Sequence, residues 1–252
     1  MSEMKRLSDR NRAIQEMLTS GEGLKTFYRF VANNPHIALH DACQIVIERP
    51  SASICFSFEE WNAQGRRVTK GRKGIPYYDN DGSKRFVFDV SDTHGDNRYR
   101  RSINPVKKIL DGLDLVNGTE IAGSNRGDYR IMLSGVVNYL GQNEFFTEDE
   151  DRNRLIAEGV TYLLYSTTGF PKDRGITLKG YPYGLSENAD LFREILKTTE
   201  VLQQDVNDAV LNKQSEVPVI DDTEEETVTD EPVIPKSDET HVKTEGESSV
   251  TP

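Results

Sequence analysis

The sequence reads as an α+β fold, with N-terminal helices and a small antiparallel sheet, then a helical region and a disordered acidic tail. Three observations carry this reading. Apolar residues recur at helical spacing up to about residue 48. After Pro50 the spacing becomes that of a strand, and from Pro105 it becomes helical again. Beyond residue 214 the apolar pattern stops and acids replace it. The chain divides on these grounds into residues 1–103, 104–214 and 215–252.

Ser8 is placed to cap a first helix running to about Thr19, with Ile14, Met17 and Leu18 as its apolar stripe. Gly21 and Gly23 break it. Leu24, Phe27, Tyr28 and Val31 then share one face of a second short helix. Pro35 restarts the chain, and Ala38 to Glu48 reads as a third helix, with β-branched Ile45 and Ile47 near its end. Next, Ala52, Ile54, Phe56 and Phe58 alternate with Ser51, Ser53, Cys55 and Ser57, the pattern of a half-buried strand. Glu59 to Gln64 makes a helical turn. Ile75–Tyr78 and Arg85–Val90 read as a hairpin around Asp79–Ser83, where Gly82 supplies a positive φ. Phe86, Phe88 and Val90 are expected to face the core.

The rest is helical. Pro105 opens a short helix through Leu113. Tyr129–Leu140 follows, with Ile131, Met132, Val136 and Leu140 on one side. In Arg152–Tyr165, Ile156, Val160 and Leu163 are in register. The last helix runs from about Asn188 to Leu211 along Leu191, Ile195, Leu202, Val206 and Ala209. There is no internal repeat.

The formal charge of −11 hides an uneven distribution. Residues 1–110 carry a net +6, residues 111–214 a net −7 and residues 215–252 a net −10. The tail contains DDTEEETVTDEPVIPKSDET and no aromatic residue. Such a segment cannot bury enough apolar area to offset its ordering entropy. It is a solvated spacer, or an acidic mimic of nucleic acid competing in cis for a basic surface. No apolar run approaches membrane-spanning length, and no apolar h-region follows MSEMKRLSDRNR. A cytoplasmic protein that makes no use of a membrane is expected. Cys43 and Cys55 lack CxxC spacing and sit among apolar residues, so buried reduced thiols are expected rather than a disulfide or a metal site.

The densest chemistry lies in WNAQGRRVTKGRKGIPYY, residues 61–78. Arg66, Arg67, Lys70, Arg72 and Lys73 are punctuated by Gly65, Gly71 and Gly74, with Trp61, Tyr77 and Tyr78 on either side. Lys and Arg neutralise phosphates, while bases of a single strand stack on aromatic rings. Glycines let a backbone approach a phosphate closely. The combination suits single-stranded DNA or RNA held without base readout. The plainer alternative is a solvated charged loop, with Trp61 as a core anchor.

The run IERPSASICFSFEEWNAQGRRVTKGRKGIPYYD, followed by RFVFDVSDT, resembles the N-terminal domain of ArdC-type antirestriction proteins. It is still more similar to the related domain at the front of helicase-like proteins of conjugative and integrative elements. The matching positions are Pro50, Phe58, Trp61, Gly65, Arg66, Val68, Lys70, Gly71, Lys73, Gly74 and Ile75, then Phe88 to Thr93. Arg72 stands where the family often has an acid. The resemblance covers about 50 residues and implies sequence-indifferent binding of single-stranded DNA.

In ArdC-type proteins a zinc metallopeptidase-like domain follows, with an HExxH helix and a later helix that supplies an acidic ligand. IAEGVTYLLYSTTGF, residues 156–170, is similar to that later helix and puts Glu158 at the acidic position. RIMLSGVVNYL then stands for the HExxH helix, with Ser134, Gly135 and Asn138 in place of His, Glu and His. Neither Ser nor Asn is a usual zinc ligand and Gly is no base, so the resemblance implies a degenerate scaffold without catalytic zinc. His36 and His40 are four apart with no Glu between them and read as structural or capping histidines.

No Walker A loop and no GxSxG occurs. Asp79 and Asp81 read as hairpin solubility, and Glu148–Asp151 as a run favouring the next helix's dipole. The sequence thus leads to a non-enzymatic, cofactor-free binder of single-stranded DNA from a mobile genetic element. A partner protein from that element or from a restriction system is also expected. The rival reading is an interaction or DNA-mimic module acting through the acidic helical half and the tail.

Overall fold

The structure is a computed structural model, and it describes residues 3–79, 81–95, 106–119, 129–168 and 176–215. Helix α1 spans Glu3–Thr19, so Ser8 lies inside it and is not its cap. The next start belongs to Ser20, whose hydroxyl accepts a hydrogen bond from the Gly23 N–H at 3.3 Å. Helix α2 therefore runs Gly21–Asn33, with the two glycines in its first turn. Leu24, Phe27, Tyr28 and Phe30 are its buried apolar face, and Val31 is half-buried. Helix α3 (Leu39–Glu48) buries Ala42, Cys43, Ile45 and Val46.

There follow β1 (Cys55–Phe56), α4 (Phe58–Ala63), β2 (Arg67–Val68), β3 (Ile75–Tyr78), β4 (Lys84–Asp89), a 3-10 turn at Val90–Asp92, and β5 (Thr93–His94). Strands β1, β4 and β3 form an antiparallel sheet in that order, and β2 pairs with β5 in a separate antiparallel ribbon. The hairpin register sets Ile75 opposite Val87 and Pro76 opposite Phe86. Ser57 and Glu60 cap α4 reciprocally, side chain to backbone in both directions. That cap ends the strand at Phe56 and turns Phe58 into a helical residue.

The facing of the sheet differs from expectation. Cys55, Ile75, Val87 and Asp89 are buried, while Phe86 is exposed and Phe88 and Val90 are only half-buried. The sheet has apolar residues on both sides. One side meets the helices. On the other, Phe56 packs edge-on against Trp61 of α4 with ring centroids 4.9 Å apart. Large side chains on the α4 side satisfy alternation as well as residues facing the helices do, so the pattern alone points the wrong way.

Two buried amides lock the sheet to the helices. Asn34 donates to the carbonyls of Phe30 (2.8 Å) and Ser53 (2.7 Å) and accepts from the Cys55 N–H (2.7 Å). Gln44 donates to the Tyr78 carbonyl (2.8 Å) and accepts from the Tyr78 N–H (3.0 Å), so it occupies the backbone of edge strand β3. Burial pushes the Cys43 thiol up to about 12 and raises that of Cys55 further, and both are free.

The second half holds α5 (Val106–Asn117), α6 (Tyr129–Gln142), α7 (Glu150–Thr167) and α8 (Leu185–Ser215). The Asp149 carboxylate accepts from the Arg152 N–H at 2.9 Å and caps α7, with Glu150 and Asp151 in its first turn. An extended segment, 176–184, crosses the α1–α2 junction, where the Tyr181 N–H donates to the Leu18 carbonyl at 2.9 Å. The Tyr28 and Tyr181 hydroxyls are hydrogen-bonded to each other inside the core. Phe27 and Tyr28 of α2 pack on Phe192 of α8, with centroids 4.8 and 5.3 Å apart. One apolar cluster thus runs from Ile14 to Val206, and the described residues form one compact unit. The division at 103/104 and the tail beyond residue 215 lie outside the described residues. Among the described residues, no helix is long and apolar enough to cross a membrane.

Candidate nucleic-acid interface

The basic segment is a built loop. Trp61 anchors its start: the ring is fully buried, and its indole N–H donates to the Phe88 carbonyl at 2.8 Å. Gly65 and Gly71 take φ of +73° and +87°. At Gly71 a Cβ would meet nothing within 4 Å, so glycine is required there for its backbone angle rather than for space. The Arg72 N–H closes the turn onto the Thr69 carbonyl (3.1 Å), and the Thr69 N–H donates to the Asp92 carbonyl (2.8 Å).

Asp92 fixes the loop from behind. Its buried carboxylate accepts from the Arg49 guanidinium and from the Asp89 N–H (3.2 Å), and lies 4.0 Å from Arg72. Arg49 also donates to the Lys73 carbonyl at 3.2 Å. Asp89 accepts from the Ser53 N–H (2.6 Å), the Ser53 hydroxyl (3.0 Å), the Ile54 N–H (3.2 Å) and the Ser91 N–H (2.9 Å). Burial works to raise the Asp89 pKa, but the bonds from Ser91 and Ser53 outweigh it and hold the carboxyl below its usual range.

The eight residues singled out from sequence separate into distinct groups. Arg67, Lys70 and Lys73 are exposed, and among the described residues none has a carboxylate at ion-pair distance. Arg72 is 57 % exposed in its side chain and only loosely tied to Asp92. Arg66 is a clamp: it donates to the Thr93 hydroxyl (2.8 Å) and carbonyl (3.2 Å), and its guanidinium lies 5.8 Å from the centroid of the Trp61 ring. The three aromatic residues offer no open face beside the exposed cations Arg67, Lys70 and Lys73. Trp61 is in the core and has no face for a base. Tyr77 packs against the core, and Tyr78 lies under the Arg10 guanidinium at 4.8 Å.

In the sequence Asp92 stands out only as a position of the resemblance and Arg49 is not singled out, although the two set the loop, and Phe86 is expected inward where the structure turns it out. Phe86 is 48 % exposed on β4, and Lys84 Nζ lies 5.2 Å from its ring centroid. A Cβ on Gly74 would lie 3.0 Å from Phe86 Cβ and 3.3 Å from Cδ1, so the ring sits against the end of the basic loop. No signal in the sequence places it outward, since Phe86, Val87 and Phe88 are all apolar and either parity puts an apolar residue on the core face.

In the helical half, Ser134, Gly135 and Asn138 of α6 line an open depression of about 570 Å³ with Arg130, Ile131 and Val137. The Gly135 carbonyl accepts from the Asn117 side-chain amide at 2.9 Å. Glu158 is elsewhere, its carboxylate taken by Arg154 at 2.9 Å. His36 stacks on Phe56 and bonds the Cys55 carbonyl (2.9 Å), while His40 contacts Asp41 and Gln44 (both 3.2 Å), so the two do not converge. Among the described residues no three His, Cys, Asp or Glu side chains are grouped to hold a metal ion. Compared with family models, curated proteins and solved structures, the chain gives no match in any of the three.

Proposed function

We propose that this protein binds single-stranded DNA without strong sequence preference, and without catalysis, through the basic Gly-rich turn at residues 65–74. One observation carries the reading: Arg67, Lys70 and Lys73 are held on a fixed turn with no acid to neutralise them among the described residues. Cations so placed exchange their counterions for phosphates, which is the main source of sequence-independent affinity. The resemblance to ArdC-type domains supports the same reading. By that analogy the cellular role is handling DNA of a mobile element in the cytoplasm, with a protein of that element or of a restriction system as partner.

The test is fluorescence anisotropy of a labelled single-stranded oligonucleotide over a range of salt, using residues 1–214 and the full chain. Micromolar or tighter binding is expected, with log K falling against log salt at a slope of about −2 for three phosphates. Reversing the three charges (Arg67→Glu, Lys70→Glu, Lys73→Glu) removes it. Tighter binding without the tail shows competition in cis, and tighter binding to RNA reassigns the ligand. Absence of binding at low salt overturns the proposal. The acidic helical half, with Val137, Val201 and Leu211 exposed, then becomes the surface to probe with basic partner proteins.

A further inference from the structure

We infer that Phe86 is the stacking platform of this interface, its ring taking one base of the strand whose phosphates lie on residues 67–73. The inference rests on the single-strand reading above and names the group that receives the bases.

Phe86 sits on the central strand of the sheet, directly opposite Pro76. The strand beneath it is held by the buried Trp61: the indole N–H bonds the Phe88 carbonyl, and Phe56, paired with Phe88 on the next strand, packs edge-on against the indole ring. The ring therefore stands on a stiff floor and loses little freedom when a second ring covers it. Half of it is bare to water, which leaves apolar area to be gained by stacking.

The surroundings choose the occupant. Lys84 lies over one side of the ring, and Gly74, next to Lys73, lies against another. A half-exposed aromatic ring with Lys84 over it, at the end of the loop that bears Arg67, Lys70 and Lys73, fits an anionic strand carrying flat bases better than it fits an apolar peptide. Among the described residues the other exposed phenylalanine, Phe58, lacks this setting: Glu59 and Glu60 follow it, and their charge opposes phosphate. Because every base has a π-face, a platform of this kind is tolerant of sequence.

The experiment uses the full chain with two labelled probes, oligothymidine and an abasic oligomer of the same phosphate count. Phe86→Ala is expected to weaken oligothymidine about ten-fold and to leave abasic binding within about two-fold. Phe86→Trp restores the affinity, and its exposed indole is quenched by oligothymidine, whereas the wild-type emission of buried Trp61 is not. Equal affinity of the wild type for both probes overturns the platform and leaves the cationic loop standing. Equal loss on both probes in Phe86→Ala also overturns it, since the ring would then act only by placing the loop. Failure of the wild type to bind either probe overturns the reading of the loop itself, and the platform with it.

Discussion

Two buried carboxylates, Asp89 and Asp92, decide where the basic loop stands. Every contact to Asp89 comes from a donor: two backbone N–H groups and a hydroxyl to one oxygen, and the Ser91 N–H to the other. An amide in its place turns an NH₂ group toward N–H groups. Asp89→Asn is therefore expected to cost about 1–3 kcal/mol at neutral pH. Because the folded pKa is depressed, this contribution is fully present above the unfolded value of about 3.9, and it fades as pH falls through the lower folded value. Urea midpoints of the wild type and Asp89→Asn should stay apart from pH 7 to about pH 4 and converge below. Convergence well above pH 4 would show that the carboxylate is not held by these bonds. The sequence announced the cations but not their partners. Arg49 and Asp92 meet across the fold, and no local spacing reveals which arginine is neutralised. Trp61 shows the same limit: a Trp beside a basic run is compatible with core or surface, and only the Phe88 carbonyl above its N–H decides.

Helices were readable because their stripes are wide and their caps local. The α3, α5, α6 and α7 ranges sit within a few residues of the apolar patterns that predict them. The strands were less so. β1, β2 and β5 have two residues each, too few for a period, and β4 carries apolar residues at successive positions from Phe86 to Phe88. With Trp61 covering the second face of the sheet, parity was not fixed by hydrophobicity. The segment 176–184 alternates buried Ile176 and Leu178 with exposed Thr177 and Lys179 too briefly to announce an element, yet it closes the α1–α2 junction. Its clue is Gly180, where a Cβ would fall 1.8 Å from the Thr19 carbonyl oxygen and 2.9 Å from the Ser20 nitrogen. Backbone cannot yield there as a flexible side chain does. Gly180→Ala is expected to destabilise by about 1–3 kcal/mol, read as a lower urea midpoint at unchanged slope. Gly184→Ala is the control, since its nearest neighbour is the Glu187 carboxylate at 3.5 Å and the change should be near neutral. Equal midpoints for the two variants would mean that the strap is not seated on the junction.

Charge divides the chain into a basic front and an acidic rear, but packing does not respect that division. The apolar face of α2 is completed by α7 and α8: Tyr28 lies against Tyr162 at 5.9 Å and Phe192 at 5.3 Å, and its hydroxyl meets that of Tyr181. Burial pushes the Tyr28 pKa far up, so the pair stays protonated, with one hydroxyl donating to the other. Removing the rear would expose Phe27 and Tyr28, leave the Tyr28 hydroxyl without its Tyr181 partner, and loosen α2, against which α3 packs on the way to the sheet. A binding loop needs such support, because loosely held cations gain phosphate contacts only at the cost of ordering themselves. Residues 1–217 are therefore expected to unfold as one cooperative unit, with calorimetric and van't Hoff enthalpies equal. A fragment of residues 1–103 is expected to lack a cooperative transition and to lose its affinity for single strands, although it carries every cation of the loop. Two separated transitions in the intact chain, or a fragment that binds as tightly as the whole, would show instead that the front folds alone and that its contacts with the rear are dispensable.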